Sequence, residues 1–256
     1  ASDAIPYTMA GIDGSGGGIA GAPEQRLQIA DDGIQLDAAD LAHVGTGTGI
    51  AAGPTHRKVE EYVSATLFGG IGDNLGCDAQ AQGAFTHGSM VASVAMGNAT
   101  DVDTGTYGDP YWARPNFPNE AQQWRLDGVV PKARLVAVDA NVTPGIASCA
   151  DTDQDTIDAG DLYDSSVDGS CPGSSCPGSL RWGYRDYDVR VFNNSWGADV
   201  NAYTSDAADV DEFLNDYKDA MVFNSCGNYG EDVLPPDNGD GIPDEGTLGT
   251  SGNVKN

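Results

Sequence analysis

Three polar residues stand where a strand-like run gives way to a turn or a helix. Asp31 follows the apolar run Arg26–Ala30 and lies beside Gly33, His87 opens a run with helical spacing, and Asn228 follows Gly227 after the run Ala220–Cys226. A carboxylate, an imidazole that titrates near neutrality and an amide with N–H donors are groups that can move a proton or hold an anion. Singly, each has a plainer reading: His87 as a surface or capping residue, Asp31 and Asn228 as turn residues bonding to local backbone. Their joint spacing has to decide.

The carboxyl ends of parallel strands are where such groups gather in an open α/β sheet, and the surrounding pattern predicts that fold. Strands are expected at Arg26–Ala30, Arg134–Ala140, Val189–Asn193 and Ala220–Cys226. Helices are expected over Gly88–Met96, with Val91, Val94 and Ala95 at helical spacing, and over Asp206–Asp219, with Val210, Phe213, Leu214 and Tyr217 in one stripe. Strands alternating with helices imply a mostly parallel sheet between helical layers. No repeat or second domain is visible, so residues 1–256 read as one domain. Within it, 1–25 form a flexible Gly- and Ala-rich arm and 145–185 an Asp- and Cys-rich loop insertion. The run Gly16–Gly21 matches G-x-G-x-x-G but precedes the first strand and runs into Pro23, so no dinucleotide loop is expected.

Five segments then fall in an order resembling the subtilisin-like serine peptidases. Ile29-Ala30-Asp31-Asp32-Gly33-Ile34 resembles that family's apolar strand followed by Asp-[Ser/Thr]-Gly, and His87-Gly88-Ser89-Met90-Val91-Ala92 resembles His-Gly-Thr-x-Val-Ala. Gly128-Val129-Val130-Pro131-Lys132-Ala133-Arg134-Leu135 is similar to Gly-Val-Ala-Pro-x-Ala-x-Leu, Asn194-Ser195-Trp196-Gly197 to the substrate-binding strand, and Ser225-Cys226-Gly227-Asn228-Tyr229-Gly230 to Ala-Ala-Gly-Asn-x-Gly. The run Asn194–Asp211 and the ending Gly249–Asn256 are most similar to the oxidatively stable alkaline proteases of the family. The resemblance implies a three-layer α/β fold, incomplete in these residues, and endopeptidase activity through an acyl-enzyme.

On that resemblance His87 is the general base, Asp31 holds its tautomer and stabilises its cation, and Asn228 donates to the oxyanion. Ser195, Trp196 and Gly197, with Ser225 and Gly227, bind an extended polypeptide substrate. Trp196 and the walls near Ser225–Gly227 suggest an apolar or aromatic residue before the cleaved bond. Three departures stand out: Asp32 occupies the usual Ser/Thr position, Ser93 replaces a Gly, and the Gly-Thr-Ser-Met-Ala segment with the nucleophilic serine is absent from the sequence. Ser251 lacks the Met-Ala that should follow it and comes too soon after Asn228 to substitute. The expectation is that the C-terminal remainder of the domain, as a separate chain, supplies the hydroxyl.

Composition narrows the rest. There are 39 acidic residues against 12 Lys and Arg, a net charge of −27, which repels phosphate backbones and excludes nucleic acid as an expected partner. No apolar run approaches the roughly 18–20 residues of a membrane-spanning helix, so no membrane association is expected. The bias to Asp suits calcium. Asp151, Asp153 and Asp155 alternate as oxygen ligands do, Asn238, Asp240 and Asp244 resemble part of a calcium repeat, and Asp40 resembles a family calcium position. Five cysteines at 77, 149, 171, 176 and 226 form no zinc-type pair of motifs. They fit a secreted protein with one or two disulfides, whose targeting segment is not among these residues. His43 and His56 are expected at the surface. The alternative to a peptidase is a non-catalytic, calcium-binding relative that acts as a protein-binding module. No organic cofactor is implied.

Overall fold

The computed structural model describes residues 25–31, 33–34, 36, 38, 40–41, 52–54, 56, 58–64, 87–97, 128–130, 133–139, 179–195, 197 and 202–227. Five strands, β1 (Arg26–Asp31), β2 (Val59–Ser64), β3 (Arg134–Asp139), β4 (Val191–Asn194) and β5 (Met221–Asn224), form one sheet in the order β2-β3-β1-β4-β5. Every pairing is parallel. Three helices complete the described fold: α1 (His87–Met96), α2 (Leu180–Asp186) and α3 (Ser205–Asp216).

Side chains alternate across a strand, and here both faces are covered. Leu27 and Ile29 of β1 and Leu135 and Ala137 of β3 pack with Ala92 and Met96 of α1. Ala30, Val136 and Val138 point the other way, into a second cluster with Trp182 of α2 and Val210 and Phe213 of α3. That double burial is why β1 and β3 read as apolar runs. Phe192 meets Phe213 edge-on, with ring centroids 5.3 Å apart, a geometry worth about 0.5–1.5 kcal/mol beyond area burial. The described architecture is the expected three-layer α/β fold.

Two elements differ from the sequence reading. β2 was not expected, because Glu60 and Glu61 interrupt its apolar pattern. A register shift against β3 between Val59 and Glu61 lets both acids find partners. Glu60 accepts from Arg26 Nε at 2.6 Å and Nη2 at 3.0 Å, and Glu61 accepts from the Tyr187 hydroxyl. Burial, and then that bond, raise the Tyr187 phenol pKa. The second difference corrects the 145–185 loop: its end is helical. Ser179 caps α2, its hydroxyl accepting from Trp182 N–H at 3.2 Å, and α2 buries Leu180 and Trp182 against the sheet. Residues 145–178 and the arm 1–24 lie outside the described residues.

The surface expectation for His56 is also corrected: it is 3% exposed. Its Nδ1 accepts from the backbone N–H groups of Lys58 (3.1 Å) and Val59 (2.9 Å) at the start of β2. Next to it Lys58, only 2% exposed, donates from Nζ to Ala133 O at 2.7 Å. Arg134 Nη2 donates to Gly53 O and His56 O at 3.1 and 2.9 Å. His43 lies outside the described residues.

Candidate active site

Asp31 is the last residue of β1, one position beyond the point where Ala30 registers with Asn194. Alternation with Ile29 turns its carboxylate toward the α1 face, and its side chain is 3% exposed. The chain then turns through Gly33 at φ 108°, a conformation that a residue with a Cβ adopts only under strain.

α1 brings the imidazole to that carboxylate. Gly88, Ser89, Ala92 and Met96 are its buried positions, and these place its first residue, His87, over the exit of β1. The far end of α1 is held by the segment that resembles Gly-Val-Ala-Pro: Gly128, Val129 and Val130 N–H groups donate to Gly97 O, Val94 O and Ala95 O at 2.7, 3.0 and 2.9 Å. Terminal helix carbonyls otherwise have no intrahelical partner, so this segment fixes the helix carrying His87 and has a structural role. Gly128 lies so close that a Cβ there would sit 2.5 Å from Met96 N and 2.6 Å from Ser93 O.

His87 Nδ1 lies 2.8 Å from Asp31 Oδ1. An ionised carboxylate only accepts, so Nδ1 carries the proton and Nε2 keeps its lone pair. The acid is buried and the imidazole is 48% exposed, so the ring is anchored on the sheet and reaches the surface. The arrangement can accept a proton from an approaching hydroxyl and return it.

Beside this pair lie the exits of β4 and β5. Asn194 registers with Asn224, and Ser225 N–H donates to Asn194 O at 3.0 Å, which prolongs the pairing by one residue. Ser195 is half-buried and its hydroxyl accepts from Asn193 Nδ2 at 2.8 Å. Ser225 is half-buried too, while Gly197 and Gly227 are exposed. Sequence reasoning missed Asn193 and Asn224; the signal was polar residues at the ends of strands whose other inward positions are apolar. Trp196 and Asn228 lie outside the described residues.

The acidic residues of the proposed calcium sites, Asp151, Asp153, Asp155, Asp240 and Asp244, lie outside them as well, as does Asn238. Asp40 is described, with its carboxylate against Gly97, where a Cβ would collide with it. No group of three His, Cys, Asp or Glu side chains among the described residues could hold a metal ion, so the described part of the protein offers calcium no built site. Cys226 is exposed and a free thiol.

A parallel α/β sheet with a buried carboxylate holding an imidazole at its strand exits is an arrangement that can carry acid–base catalysis. Residues 24–256, nearly the whole chain, match the subtilase family; the chain belongs to that family and is a serine peptidase. No curated protein matches it.

Proposed function

We propose that the protein is a secreted endopeptidase that cleaves polypeptides through an Asp–His–Ser triad and an acyl-enzyme. The observation that carries this reading is the 2.8 Å contact between buried Asp31 and half-exposed His87. A serine hydroxyl is a weak nucleophile until a neighbouring base takes its proton. His87 Nε2 takes that proton as the hydroxyl attacks the substrate carbonyl, and then delivers it to the leaving amine. Asp31 keeps the imidazole in the required tautomer and offsets the positive charge that forms on it. Asn228 donates to the oxyanion, and the segments Ser195–Gly197 and Ser225–Gly227 hold the substrate backbone as an added strand.

The hydroxyl belongs to the family's nucleophilic serine, in the Gly-Thr-Ser-Met-Ala segment that residues 1–256 do not contain. Calcium at the Asp151 and Asn238 loops is part of the same reading and serves structure.

Treatment of the purified active protein with phenylmethylsulfonyl fluoride tests it. The expected result is loss of casein cleavage, with the sulfonyl label on one serine of the peptidase domain. Unlabelled protein without casein cleavage would instead favour the non-catalytic binding module.

A further inference from the structure

Two asparagines close the same layer of the sheet. Asn194 and Asn224 are the last residues of β4 and β5 and are register partners. Two residues earlier, Phe192 and Val222 point into the apolar cluster under α2 and α3, so by strand alternation both amides face that side. Asn194 is 2% exposed, and its Nδ2 donates to Asn224 Oδ1 at 3.0 Å. The layer beneath them, Ala30, Phe192, Val222 and Phe213, is apolar.

A buried amide is costly unless it is bonded. The buried Asn194 N–H reaches its acceptor on Asn224 when β4 and β5 stand in the observed register. A slip of one residue would turn one amide to the opposite face and replace it with Phe223 or Asn193. The backbone bond from Ser225 N–H to Asn194 O reinforces the same alignment. Directly beyond the pair come Ser195 and Gly197 after β4 and Ser225–Gly227 after β5.

We infer that Asn194 and Asn224 are positioning residues. Through their mutual hydrogen bond they set the spacing of the two exit segments, and so determine which side chain before the cleaved bond the cleft accepts. This role rests on the peptidase reading above.

The test uses the active enzyme, with sites counted by titration with a serine-directed acylating reagent. Two peptide substrates differ only in having Phe or Ala before the scissile bond. Asn224→Ala and Asn194→Ala each shift the Phe-to-Ala ratio of kcat/KM by about tenfold or more, in the same direction. The double variant shifts it no further than the larger single change, because both act through one bond. Asn224→Asp, which keeps an acceptor oxygen for Asn194, stays within about threefold of the wild type. Should Asn224→Ala fail to fold, Asn224→Leu fills the space without an acceptor and carries the same expectation.

Ratios unchanged while the melting temperature falls would overturn the role and leave the pair as structural only. Shifts that multiply in the double variant would overturn it too. A wild type that takes up no acylating reagent and cleaves no casein would refute the peptidase reading itself, and this inference with it.

Discussion

The two ends of this sheet are both polar, but they use polarity in opposite ways. At the amino ends of β1, β2 and β3, Arg26, Glu60 and Arg134 meet one another, and Lys58 and His56 bond to backbone groups. Each bond there ties one strand or loop of the chain to another. At the carboxyl ends, buried Asp31 holds an imidazole whose side chain is 48% exposed, and Gly197 and Gly227 are exposed beside it. Buried polar groups bonded to other parts of the chain rigidify a fold. A side chain held by a buried partner but itself half-exposed can meet a substrate. The same residue type shows the difference: His56 is 3% exposed and accepts from two backbone N–H groups, whereas His87 is bonded to a buried carboxylate with its side chain 48% exposed.

The widest gap between the two ends is expected in activity. His87→Ala should lower kcat roughly 10⁶-fold and Asp31→Ala roughly 10⁴-fold, the sizes known for the matching positions of a subtilisin. Melting temperatures should change little for His87→Ala, and steady-state peptide hydrolysis with calorimetry checks both. If His87→Ala instead unfolded the protein and left its activity per folded molecule intact, the contrast would be broken.

The amino end should give the reverse result. His56→Ala leaves the N–H groups of Lys58 and Val59 without their acceptor, a loss of about 1–3 kcal/mol for each buried donor. Urea unfolding should show it, with kcat per titrated site unchanged. Gly128→Ala joins the two behaviours, because its Cβ would press on the backbone of the helix that carries His87. Overpacking of this kind costs about 1–3 kcal/mol. A shift of α1 should also lower kcat, so stability and activity fall together.

The smallest effect is expected at the solvent-exposed rim of the amino end, where Arg190 and Asp219 precede β4 and β5. The hydrogen bond from Tyr184 (2.7 Å), followed by that from Arg190 (2.9 Å), holds the Asp219 carboxyl below the usual carboxylate range. A lowered folded-state pKa stabilises the fold above the unfolded value of about 3.9, and the contribution is lost as pH falls through the lowered value. Asp219→Asn should therefore give a slight fall in melting temperature at pH 7 that disappears in strong acid. Solvent screening keeps it slight.

Most of the framework was legible because it follows from local pattern. β1, β3 and α1 are bounded within one residue of the expected ends, since apolar periodicity and Gly33 mark them directly. β4 is shorter than expected at its start because Val189 and Arg190 leave α2 before pairing begins. What escaped reading depends on distant partners. Glu60 and Glu61 make β2 look like a solvated segment until Arg26, Arg134 and Tyr187 are placed beside them. α2 has one turn of apolar signal, Leu180 and Trp182, inside an Asp- and Cys-rich stretch, and only burial against Phe192 and Val189 makes it a helix. Asp31 and His87 could be singled out only because their motifs resemble a family's. No local rule says that residues 56 positions apart will touch.

Base catalysis by His87 requires that Nδ1 donate its proton to Asp31, so that Nε2 is the nitrogen that takes a proton from a hydroxyl. Proton NMR of the nitrogen-15-labelled enzyme tests this directly. The predicted result is a strongly downfield ring N–H signal coupled to nitrogen, present in the wild type, absent in His87→Ala and moved upfield in Asp31→Asn. A wild-type spectrum with no such signal, or one that keeps it unchanged after Asp31→Asn, would contradict the account.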